Sequence, residues 1–361
     1  MKKLDSKFLI TCGIIISLPI LFILFMMLLR GCSGTTKSYE NYEKMMVSKA
    51  KSYAKNHKML PKSGKSTILK LDNLVDGGLK NPDKALKDDS CSGSVVIKNN
   101  YKDGKVYYNY IPYLECDNYK TEYIKDYLMK DVVTEGSGLY KIGEEYIFKG
   151  NKVNNYISFY DTIYRIIKID TNGYLKLIKE KSQDVSNNWD NKYNINKKTY
   201  TGVNNYSDSL IIDRLLLDYR NDKIISKEAK IKIIPNSICV GKRDMNNLDI
   251  NITTECNEKL DNQILTLPSV TDYTLASYDV NCKNIGDPSC TNYNYFTNFI
   301  DYTWTIDTVS NDDSLVYYID SIGAELEEAS KYKKYNFVLY IDSEELYQSG
   351  KGTEKDPYVI K

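Results

Sequence analysis

Apolar positions follow three regimes along this chain. The first is an uncharged run, Phe8–Leu29. It is long enough to cross the roughly 30 Å hydrocarbon core of a bilayer as a helix. It therefore predicts one membrane-spanning anchor, with Pro19 as a tolerated kink. In the second regime the apolar residues recur in steps of three and four: Tyr39, Tyr42, Met46, Ala50, Tyr53 and His57. That is one stripe of an amphipathic helix, ended by Pro61 and Gly64.

From Cys91 onward turn residues punctuate the chain, and several of the short runs between them read as hairpin strands. The runs on either side of Asp103-Gly104 predict one hairpin, and those flanking Asn172-Gly173, with Tyr164, Ile166, Lys168 before the turn and Tyr174, Lys176, Ile178 after it, predict another. A helical face returns at Leu210, Ile211, Leu215, Leu216 and Tyr219, with Ser207 or Asp208 as its cap. Glu135–Gly138 reads as a linker. The expected organisation is an anchor over 1–34, a stalk domain over 35–134 and a larger domain over 138–361. The expected fold class is α+β throughout.

Cysteine usage adds the compartment. Of eight cysteines, six fall into near neighbours: Cys91 and Cys116, Cys239 and Cys256, Cys282 and Cys290. None has the C-x-x-C spacing of a zinc site, so three short-loop disulfides in an oxidising compartment are the expectation. Other pairings stay open on spacing alone. With the cysteines outside and a short N-terminal tail, the anchor predicts a single-pass cell-membrane protein whose domains are extracellular. Arg30 stands where a lipobox before Cys32 would need a small or aliphatic residue.

Charge and residue counts restrict the chemistry. A net charge of +1 offers no cationic cluster for nucleic acid. His57 is the single histidine, which argues against Ser-His-Asp or Cys-His nucleophiles and against multi-histidine metal sites. A carboxylate pair could serve a glycosidase, yet nothing selects a pair among 48 acidic residues. Asp190, Asp307, Asp312 and Asp313 are hard-oxygen groups suited to calcium, but no EF-hand loop contains them. No cofactor is expected. Trp189 and Trp304, the chain's two tryptophans, stand next to or near Asp190 and Asp307. These four are the candidate ligand-binding residues.

Two resemblances follow from motifs. Tyr53 through Pro61 and Leu74 through Pro82, behind a membrane helix, resemble a pilin-like pattern, without the Gly-Phe and fifth-position Glu of a processed pilin. Over 138–361 the chain resembles a C-type-lectin-like/formylglycine-generating-enzyme-like surface domain of Gram-positive and wall-less bacteria. The residues that carry this are Tyr164-Arg165-Ile166-Ile167, Trp189-Asp190, Gly202-x-Asn204-x-Tyr206, Leu267-Pro268-Ser269-Val270-x-Asp272-Tyr273, Trp304-Thr305, and Gly350-x-Gly352-Thr353 leading to Pro357-Tyr358-Val359-Ile360. Asn336 departs from the arginine usual before the last strands. The resemblance implies surface recognition of a glycan or protein ligand without catalysis. The alternatives are a structural minor pilin-like or secretion-associated subunit, associating through the stalk helix, and a surface glycoside hydrolase.

Overall fold

The computed structural model describes residues 38–62, 65–102, 105–183, 186–250 and 255–360. Those residues divide between Thr121 and Glu122 into two compact units. The helix Ile124–Met129 belongs to the second, its Ile124 and Leu128 sitting in the larger core.

In the N-terminal unit, a helix over 38–56 packs on a four-stranded antiparallel sheet. The strands run in the order Ser66–Lys70, Ser92–Lys102, Lys105–Cys116, Tyr119–Lys120. The helical stripe is the reason for this packing. Tyr39, Tyr42, Met46, Ala50 and Ala54 are all buried, in one cluster with Leu69, Val95, Ile97 and Leu114. The stripe is thus spent inside its own unit, while His57 is exposed. Two buried carboxylates lock the arrangement. Glu43 accepts from Thr121 Oγ1 at 2.6 Å and from Tyr119 Oη at 2.9 Å, and Asp88 accepts from Tyr39 Oη at 2.7 Å. Cys91 and Cys116 are joined at the ends of the long hairpin. Asp88 lies close to both sulfurs, but disulfide sulfurs are not the thiolates that a metal requires.

The C-terminal unit is built on an eight-stranded sheet. Its path runs Val338–Asp342, Tyr174–Lys179, Thr162–Ile169, Tyr156–Phe159, Tyr358–Ile360, Tyr347–Ser349. The hairpin Gly138–Ile142/Glu145–Lys149 joins at Thr162–Ile169. A three-stranded sheet, Thr303–Thr308, Leu315–Asp320, Gly323–Glu328, accompanies it. The Asn172-Gly173 turn does join antiparallel strands, with Ile169 opposite Leu175. The glycines near the C-terminus have a steric cause: a Cβ on Gly350, at φ +95°, would stand 1.9 Å from the Pro357 carbonyl oxygen. That close approach lets Tyr358–Ile360 turn back and pair in parallel with Tyr156–Phe159.

Two expectations need correction. The fold class is not evenly α+β but mostly β. Runs rich in Tyr and Ile between Gly, Asn and Asp turns all pair as strands, and the α-helices of the C-terminal unit run only four to eleven residues among those described. The single-pass location is also withdrawn. Among the described residues no helix is long and apolar enough to cross a membrane. The anchor expected over Phe8–Leu29 lies outside the described residues, as does the Asp103-Gly104 turn.

Candidate functional site

The four residues expected to face a ligand are all buried: Trp189, Asp190 and Trp304 at 0 % exposure and Asp307 at 3 %. They hold the fold together instead. Each indole N–H reaches a backbone carbonyl beside the other tryptophan. Trp189 Nε1 donates to Thr305 O at 2.9 Å, and Trp304 Nε1 donates to Asn187 O at 2.9 Å. A buried Trp needs such a partner for its polar edge. Asp190 Oδ2 accepts from Val203 N at 2.8 Å. Gly202 makes that turn, since a Cβ there would lie 2.5 Å from Asp190 O.

The residues named for calcium are committed elsewhere. Asp312 pairs with Lys197 at 2.5 Å, and Asp313 accepts from Asn194 Nδ2 at 2.9 Å. Asp307 lies under Arg243 at 3.8 Å and accepts from Val270 N at 2.7 Å. Its carboxyl is pushed well above the usual range, first by burial and then by the neighbouring Glu255, against the opposing pull of Arg243.

A cleft of about 280 Å³ opens to solvent in the C-terminal unit. Its mouth is the Thr171–Asn172 turn on one side and the strand Asn236–Cys239 on the other. Asp170 binds these walls together. Its Oδ1 accepts from Asn172 N at 2.9 Å and Tyr174 N at 2.8 Å, and its Oδ2 accepts from Asn236 Nδ2 at 2.9 Å. The Cys239–Cys256 disulfide fixes the second wall.

Lys176 and Asp272 form the floor, with Nζ 2.7 Å from both carboxylate oxygens. Asp272 is held by its own helix start, the short helix Val270–Leu275. Ser269 N donates to Asp272 Oδ2 at 2.9 Å and Asp272 N donates back to Ser269 Oγ at 3.0 Å, a complete capping box. Burial disfavours both charges, yet each ion more than offsets it for the other. The Lys176 pKa is raised, and that of Asp272 is lowered, with help from Lys168 and the Ser269 N–H.

A second buried group closes one side. Glu255 Oε1 accepts from Arg243 Nε at 3.2 Å and from Arg243 Nη2 and Thr271 Oγ1. At the rim, Lys168 pairs with Glu145 at 2.6 Å. The exposed Lys259 makes no ion pair among the described residues.

Another surface feature is the loop between Asp190 and Gly202. Buried Asn194 ties it down, donating to Gly202 O at 2.9 Å and accepting from Lys197 N at 3.0 Å. It presents Ile195 at 80 % and Tyr200 at 71 % exposure.

Sequence reasoning selected the motif residues and missed the cleft. The one local signal available was the Ser269-x-x-Asp272 capping pattern. Lys176 and Asp272 are 96 residues apart, so no spacing announces their pairing. No protein-family model, curated protein or solved structure matches the chain.

Proposed function

We propose that the C-terminal unit is a recognition domain and that its ligand enters this cleft. The observation that carries the reading is charge cancellation. Lys176 is paired with Asp272, Arg243 with Glu255 and Lys168 with Glu145, so the enclosed surface is polar but internally neutralised. Such a surface suits an uncharged, hydrogen-bonding molecule. A desolvated ionic ligand would meet little complementary net charge there, since the two lining charges without an ion pair among the described residues, Asp170 in the wall and Lys259 at the rim, are opposite in sign. The volume lies just below that of ordinary drug-sized sites, which fits one sugar residue of a glycan. The three disulfide bonds are those of a protein working in an oxidising compartment.

The second reading is docking of a protein at the loop bearing Ile195 and Tyr200, favoured by their exposure. Exposed aromatic and aliphatic anchors on a rigid loop are common in protein interfaces.

Thermal-shift measurement of the intact protein against neutral mono- and disaccharides, followed by a glycan array with and without calcium, tests the first reading. Binding raises Tm by mass action. A blank panel would remove the glycan reading, and release of sugar from a bound glycan would replace recognition by hydrolysis.

A further inference from the structure

Away from the cleft, one buried cation lacks a counter-ion. Arg165, on the strand Thr162–Ile169, is 2 % exposed. Lys176 and Arg243, equally deep in this unit, both sit against carboxylates. Arg165 has none within the 4.0 Å ion-pair distance among the described residues, and Glu180 and Glu354 act on it only at longer range.

Its surroundings are aromatic. The guanidinium carbon lies 3.9 Å from the ring centre of Tyr156, 4.9 Å from that of Tyr295 and 5.5 Å from that of Phe299. Nε donates to Asn155 Oδ1 at 2.5 Å, and Asn155 Nδ2 donates to Ile166 O at 2.7 Å, so the head group is held in one orientation. The two Nη groups make no hydrogen bond among the described residues, yet they are not among the sealed polar atoms that lack a partner. They therefore keep the residue's remaining exposure. Tyr295 Oη is one of the sealed, unpartnered atoms.

Ring faces offset part of the cost of burying this cation, but they do not serve the Nη fork. A buried charge without a partner is costly. What remains is a rigid fork of N–H donors, with the neighbouring Tyr295 ring carrying a phenolic O–H that also has no acceptor. The complement of a donor-only site of this shape is an oxyanion, taken by two parallel N–H···O bonds.

We propose that Arg165, with Tyr295 beside it, is a binding site for a small oxyanion, the oxygens of a carboxylate or a phosphate pairing with the guanidinium fork. Asn155 is its positioning residue. The site is independent of the neutral cleft, because Arg165 does not line it.

The test uses the intact protein at matched ionic strength, with inorganic phosphate, acetate and glucuronate compared with chloride, and glucose as the uncharged control. Phosphate or acetate is expected to raise Tm by about 2–4 °C over chloride at saturating concentration. A response to glucuronate alone would place the oxyanion on an acidic sugar, and a response to phosphate or acetate would identify it as a free ion. Arg165→Met should abolish the shift, Tyr295→Phe should weaken it and Lys259→Ala should leave it intact.

Where Arg165→Met does not fold, arginine Nε NMR signals of the unsubstituted protein decide instead. The chain has few arginines to assign (Arg30, Arg165, Arg214, Arg220 and Arg243), and the Arg165 signal must move on titration. No shift beyond chloride, a shift retained in Arg165→Met, a shift lost in Lys259→Ala, or an unmoved Arg165 signal would each overturn the site.

Discussion

The tryptophan clasp and the cleft belong to one unit, and both combine aromatic rings with carboxylates, but they use them for opposite ends. In the clasp, Trp189, Trp304 and Asp190 are sealed, and their polar atoms are answered mostly by backbone: Thr305 O, Asn187 O, Val203 N. In the cleft, Lys176, Asp272 and Glu255 are answered chiefly by one another and by side chains from other strands and turns, with Ser269 N the one backbone donor to Asp272, and all three line the opening. Backbone-satisfied polar groups fix a topology. Side-chain-satisfied groups at an opening fix a surface. A motif rich in Trp and Asp is therefore not by itself a sign of recognition, since burial with a backbone partner uses the same residues.

The difference can be broken most forcibly in the clasp. Trp304→Ala removes a fully buried indole together with its hydrogen bond to Asn187 O, and should cost about 5 kcal/mol in denaturant unfolding. A loss below about 1 kcal/mol would mean that the clasp is not part of the core.

At the cleft floor, Lys176→Met leaves Asp272 charged, buried and unpaired, and should cost about 3–4 kcal/mol near neutral pH. The Lys176→Met/Asp272→Leu double variant should recover much of that loss, because two apolar side chains carry no desolvation penalty. Linkage gives a further check. In the native protein Asp272 has a lowered pKa, so its stabilisation is full above the unfolded carboxylate value and is lost as pH falls through the native one. The cost of Lys176→Met should accordingly shrink in acid, where Asp272 is neutral. A cost that grew in acid would refute the ion pair.

Smaller effects follow from the loops. Opening the Cys282–Cys290 disulfide, which spans 8 residues, by a double change to Ser should cost about 2–3 kcal/mol. Opening Cys91–Cys116, which spans 25, should cost roughly 1 kcal/mol more by the loop-entropy argument. Equal Tm losses would show that strain, rather than chain entropy, sets their value.

Alkali should act through buried phenols. Burial pushes Tyr206 and Tyr340 up to about 12. The folded value exceeds the unfolded one, so their stability contribution is complete below the ordinary tyrosine pKa and is lost as pH rises through about 12. A late phenolate absorbance step coinciding with loss of circular dichroism is the expected signature.

Local information reached the sequence and non-local information did not. The helix over 38–56, the Asn172-Gly173 hairpin and the three cysteine pairs were legible because each is set by residues within a short span. The preponderance of β structure was not, because strands such as Tyr156–Phe159 and Tyr358–Ile360 become strands only by meeting across the chain. The candidate site was the least legible part. Its floor joins positions 176 and 272, and Arg243 meets Glu255 and Asp307 only through the fold. Trp189, Asp190, Trp304 and Asp307 stood out for their residue types, but types alone do not reveal burial.

One measurement addresses the contrast directly. Asn172 lines the cleft mouth and is exposed, so Asn172→Trp obstructs the opening without touching the core, and its Tm should stay within about 2 °C of the parent. Tyr200→Ser alters only the exposed loop. With a ligand found by the thermal-shift panel, Asn172→Trp is expected to lower affinity at least tenfold and Tyr200→Ser to leave it unchanged. Affinity kept in Asn172→Trp and lost in Tyr200→Ser would contradict the cleft as the site of recognition.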